Sequence, residues 1–200
     1  MRFELWNKII KEFFFAENNE NEIFINVDKD TLVEYVIGTG VLKDSIIQIQ
    51  NFQIERDGRA QSEESIVWQD FIRLFRAEKA TKDAFFNKMK EQISLKDSDG
   101  LYMLFPYYAL FSIPLSNNPE LNSNNFYDRL SNFLINEGLI GRGERVNDFK
   151  MIDRPTLKHV WCSLDNWARE NNLNYHLKHD FSKPRNKIFV GPFMAECLFN

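Results

Sequence analysis

Along most of this chain the apolar side chains recur three and four residues apart, the spacing that puts them on one side of a helix. Phe3, Trp6, Ile9, Ile10, Phe13 and Phe14 predict an amphipathic helix over Arg2–Phe15. Ala16–Asn21 is a turn. Ile23, Ile25 and Val27 then alternate along Glu22–Val27, which predicts a short strand. Asp28 or Asp30 caps a helix through Ile37, stopped by Gly38 and Gly40. In Asp44–Ile54 the residues Ile47, Ile49 and Phe52 fit neither period cleanly, and we read the segment as a helix. Glu55–Glu64, with Gly58, is a polar loop. Ile66, Val67, Phe71, Leu74 and Phe75 mark one side of a helix over Ser65–Ala77. Thr81 caps the next, with Phe85, Phe86 and Met89 inward and Lys82, Lys88 and Lys90 outward.

Leu95–Gly100 is a turn, and the apolar run Leu101–Leu115 follows it. This run is read as a buried helix or as two short pieces meeting near Pro106. It has fifteen residues, short of the roughly 20 that a membrane span requires. Ser116–Asn125 is rich in Asn and Ser and almost free of apolar residues, the best break in the chain. We place a helical subdomain with one short strand at 1–115, a linker at 116–123, and a second subdomain at 124–200. The second begins with a helix over Phe126–Glu137 that buries Phe126, Leu130, Phe133 and Leu134. Gly138, Gly141 and Gly143 then open a flexible basic loop. Pro155 starts a long helix to Asn171, with a core stripe of Leu157, Val160, Trp161, Leu164 and Trp167. Two short strands follow, Leu173–Lys178 and Lys187–Val190, joined by SKPRN, and Pro192–Phe199 begins another helix. The fold class is therefore α+β and predominantly α-helical, a bundle-like core with a few short strands.

From Phe126 to Val190 the order is helix, basic loop, helix, strand, basic turn, strand, which is compatible with a winged helix. In such a module Arg142, Arg145, Arg154, Lys158, Lys183, Arg185 and Lys187 would meet nucleic acid, with Lys183, Arg185 and Lys187 on the wing. Charge supports this mildly. The net charge is −4, yet residues 141–200 carry ten Lys/Arg against seven Asp/Glu. Asp165 and Glu170 share the second helix and oppose phosphate.

Composition adds one anomaly, 19 Phe in 200 residues, roughly twice the average usage. Phe carries large apolar area and no polar handle, so it fills cores or faces partners. The start, MRFELWNKII, lacks the uninterrupted apolar stretch of a signal peptide. With only Cys162 and Cys197, this points to a reducing cytoplasm.

Catalytic motifs are missing: there is no phosphate loop, HExxH, GxSxG or CxxC. His159-x-x-Cys162 and His176-x-x-His179 have a metal-like composition. However, Cys162 neighbours the Val160–Trp161 core stripe, and histidines three apart on a strand face opposite sides. We expect no metal, no cofactor and no catalytic residue. Asp97-Ser98-Asp99-Gly100 lacks the remaining ligands of a calcium loop.

LWNKIIKEFF followed by IFINVD, and KIFVGPFMAECLF near the end, resemble the amino-terminal region of large, poorly characterised bacterial proteins from mobile-element and antiphage-defence loci. The shared motifs are an aromatic helix and a short strand. The resemblance implies a bacterial, cytoplasmic, non-catalytic domain attached to effector or motor domains. MAECLFN also stops inside an apolar run, so we expect an N-terminal piece of a larger protein. The leading expectation is an interaction or scaffold domain whose partner is another protein or downstream domains of the same chain, with no membrane. The alternatives are a nucleic-acid-binding module and an enzyme of unrecognised type. A cleft lined by His159, His176 and perturbed carboxylates would mark the enzyme.

Overall fold

A computed structural model of the chain describes residues 2–15, 27–96, 103–115 and 126–144. All regular elements among them are helical. They are α1 (Arg2–Phe15), α2 (Lys29–Thr39), α3 (Lys43–Asp57), α4 (Glu63–Arg73), α5 (Lys82–Ile93), α6 (Phe105–Ser112) and α7 (Phe126–Asn136), with a 3-10 turn at Ile113–Leu115. The predominantly helical reading of the sequence is therefore correct. The strands expected at 22–27, 173–178 and 187–190, the linker at 116–123 and the helix from Pro155 lie outside the described residues, Val27 apart.

Local chemistry explains most boundaries. Asp28 is the N-cap of α2, accepting from the Thr31 backbone N–H at 2.9 Å and from the Thr31 hydroxyl at 2.6 Å. The helix runs past Gly38 and ends at Gly40, which takes φ 67°. Gly38 is therefore not the stop expected, because only the second glycine must adopt a left-handed backbone. α3 is a helix, and it continues to Asp57 until Gly58 ends it at φ 68°. Ser62 and Thr81 cap α4 and α5. Pro106 lies in the first turn of α6, where its missing N–H costs nothing, and is not a junction between two pieces.

Every residue of α6 is buried. A helix apolar all round belongs in the middle of a fold. α1 packs on α6, α4 on α2 and α3, and α7 on the 3-10 turn that follows α6. Tyr107 is the hub of an aromatic cluster, with ring centroids 5.0 Å from Phe75, 5.7 Å from Phe3, 6.1 Å from Phe111 and 6.3 Å from Phe85. Its hydroxyl donates to the Gln92 side chain, and burial raises its pKa. Much of the Phe excess thus fills the core, including Phe71, Phe75, Phe85, Phe86, Phe105 and Phe111.

Buried polar groups tie these helices together. Asn7, on α1, accepts from the Phe105 backbone N–H at 3.2 Å and so satisfies one donor at the start of α6. The Trp6 indole donates to Asp70 at 2.8 Å, and Arg2 grips the same carboxylate. On the far side of α4 the Trp68 indole donates to Glu137 at 3.1 Å, and the Lys29 ammonium sits 4.8 Å above the Trp68 ring.

Two lysines expected to point outward on α5 do otherwise. Lys82 is buried. Lys88 is partly buried and donates to the Arg76 carbonyl at 2.6 Å, and burial lowers its pKa. An apolar stem tolerates such partial burial while the ammonium keeps a polar partner in the Arg76 carbonyl after α4. Lys90 is exposed as expected.

Candidate interaction site

The surface of α3 differs from that of the other helices. Of its residues only Ile46 is buried. Its sequence, KDSIIQIQNFQIERD, places amides between the apolar residues, which is why neither period dominates. Hydrogen bonds from glutamine side chains support its attachment. The Gln53 side chain donates to the Gln61 side chain and accepts from the Gln61 backbone N–H, both at 3.0 Å, and Gln50 donates to the Gln61 carbonyl at 3.2 Å.

Between α3 and α4 this leaves an open cleft of about 340 Å³. Ile49, Phe52 and Ile66 supply its apolar lining, and Gln48, Gln53, Gln61 and Gln69 its amides. Arg56, Arg73 and Asp70 supply charge. Phe52 is 59% exposed. The Arg56 guanidinium lies 5.6 Å from the Phe52 ring centre and donates to Asp57. That bond holds the Asp57 carboxyl below its ordinary pKa. Asp70 is already engaged by Arg2 and Trp6.

The residues predicted to touch nucleic acid are not assembled into a site by the described residues. Arg142 is exposed on the turn after α7. Arg145, Arg154, Lys158, Lys183, Arg185 and Lys187 lie outside the described residues, as do His159, Cys162, His176, His179, Trp161 and Trp167. The glycine-rich loop is anchored up to Glu144. Gly138 has φ 68°, the Leu139 N–H reaches back to the Leu134 carbonyl at 2.9 Å, and Leu139 and Ile140 are buried. Glu144 accepts from the Lys82 backbone N–H at 3.0 Å, at the start of α5. The loop opened by Gly138, Gly141 and Gly143 is thus tied to α7 and to the start of α5.

Among the described residues no three His, Cys, Asp or Glu side chains converge as metal ligands, and no helix is long and apolar enough to cross a membrane. No protein family, curated protein or solved structure matches the chain. Sequence reasoning did not find the α3–α4 cleft. The available signal was the density of glutamines at 48, 50, 53, 61 and 69, in a segment whose periodicity stayed undecided.

Proposed function

We infer that this chain acts by binding, as a non-catalytic protein-interaction or scaffold domain. One observation carries the reading. Among the described residues five large apolar side chains are exposed, and Val41, Ile47, Phe52 and Ile54 are four of them. All four lie on α3 or just before it. Ile47 and Ile54 are two helical turns apart and share one side, while Phe52 lies over the cleft. Apolar side chains gathered on one element, in a fold with an ample core elsewhere, favour a surface that is covered in use. On the resemblance of LWNKIIKEFF, IFINVD and KIFVGPFMAECLF, we place the domain in a larger cytoplasmic bacterial protein of the antiphage-defence kind.

A second reading keeps residues 124–200 as a winged-helix-like module with short strands, touching nucleic acid through Arg142 and the basic residues after it. The exposure of Arg142 supports it. A salt titration of labelled duplex and single-stranded DNA against the chain separates the readings. The interaction reading expects weak binding at every salt concentration, because the chain is acidic overall at −4. Submicromolar binding that falls steeply with salt, by roughly 0.9 log units per phosphate contact for each tenfold rise in salt, would favour the second. Charge reversal at Lys183, Arg185 and Lys187 would then abolish it.

A further inference from the structure

The α3–α4 cleft has hydrogen-bonding capacity that the described residues leave unused. Gln53 and Gln61 satisfy each other, and Arg56 is engaged by Asp57. The Gln48 and Arg73 side chains line the same cleft and have no hydrogen-bond or ion-pair partner among the described residues. Gln69 makes only a 3.4 Å bond to Ser65, through its amino group, so its carbonyl oxygen is open.

The kind of group left over discriminates between ligands. A glutamine amide both donates and accepts. It therefore matches a peptide backbone, which offers an N–H and a C=O at each residue. A phosphate backbone offers acceptors alone, so half of each amide would be unmatched. A helical segment has already spent its backbone groups internally, apart from its ends, so the matching peptide is extended. Phe52, Ile49 and Ile66 form an apolar floor for one side chain. The Arg73 guanidinium, unpaired among the described residues, is suited to a carboxylate, which it can hold by two parallel bonds. Asp70, the acid in the wall, is already neutralised by Arg2, so it opposes an incoming acid weakly. The cleft is open to solvent along one side, as a groove for an extended chain must be.

We propose that the α3–α4 cleft binds an extended acidic peptide segment of a partner protein, with a large apolar side chain on Phe52 and a neighbouring Asp or Glu on Arg73. This rests on the interaction reading and names the chemistry of the partner.

The experiment is selection of a phage-displayed random peptide library on the whole chain. Enriched peptides are then synthesised with fluorescein and titrated by anisotropy. The chains titrated are the unaltered one and those carrying Phe52→Ala, Arg73→Glu or Gln48→Ala. All three positions are exposed, and thermal melts followed by circular dichroism check that each variant folds. Enriched peptides should carry an acid next to a large apolar residue. Arg73→Glu and Phe52→Ala should each weaken binding about tenfold or more, and Gln48→Ala less. Changing the peptide's acid to its amide should weaken binding to the unaltered chain and have little effect with Arg73→Glu. No enrichment, or enriched peptides without an acid, would overturn the proposal. Peptides that bind equally well to all variants would overturn the cleft but leave the interaction reading standing. If a single-stranded oligonucleotide run in parallel binds tightly while no peptide does, both fail.

Discussion

At the scale of single residues, two aspartates do different work. Asp70 accepts a hydrogen bond from the Trp6 indole N–H and pairs with the Arg2 guanidinium in a partly buried position. Removing its carboxylate leaves a fully buried indole N–H without its acceptor. Asp70→Ala should cost about 2 kcal/mol in urea unfolding, and Asp70→Asn less, because the amide oxygen still accepts. Equal losses for the two would place the effect in the ion pair instead of the indole bond. Asp28 is governed by pH. Partial burial raises its pKa, but the bonds from the Thr31 hydroxyl and backbone outweigh this, leaving it below the ordinary 3.8. A carboxyl with a depressed folded pKa stabilises the fold above its unfolded value and loses that contribution as pH falls through the folded one. The melting temperature should therefore drop below about pH 4, and Asp28→Asn should flatten that part of the acid limb while keeping a cap. An unchanged acid limb in the variant would show that other carboxylates set it.

Elements were legible where the signal is local. A cap at Asp28 or Asp30, which the structure resolves to Asp28, the cap at Thr81, and the apolar stripes of α1, α4 and α5 follow from residues within one or two turns. What stayed hidden depends on partners far along the chain. Lys82 looked outward by its place on α5, and nothing nearby foretold that Glu144 would dock on its backbone N–H. The same holds for the cleft, because Gln53 meets Gln61 only through the path of the loop between α3 and α4. The left-handed closure of α7 tests how far local backbone geometry matters. A methyl group at Gly138 would touch nothing within 4 Å, so the penalty there is conformational alone, at φ 68°. Gly138→Ala should destabilise the fold by about 1 kcal/mol in chemical denaturation, and Gly38→Ala, inside α2 with open space around it, should be neutral or stabilising. Equal effects at the two glycines would remove the role given to the Gly138 turn.

At the scale of the whole molecule, the sequence break and the packing do not run together. Leu130, Leu134, Leu139 and Ile140 come after the Asn/Ser-rich stretch, yet they share one hydrophobic cluster with residues from α1, α2, α4, α5 and α6. The Trp68 indole on α4 reaches Glu137, and Glu144 reaches the start of α5. The side-chain packing alone is therefore expected to hold this cluster together across 116–125. A chain cut there should behave as a split protein. Co-expressed as 1–120 and 121–200, the halves should find each other and co-elute as one species in size-exclusion chromatography. Placing Asp at both Leu130 and Leu134 should leave them apart, since each apolar position is fully buried. Halves that ignore each other without that change would show that the peptide link itself holds α7 in place. If they do reassemble, the molecule comes with a conditional switch: two silent pieces, each carried by a different fusion partner, that restore the bundle only when brought together.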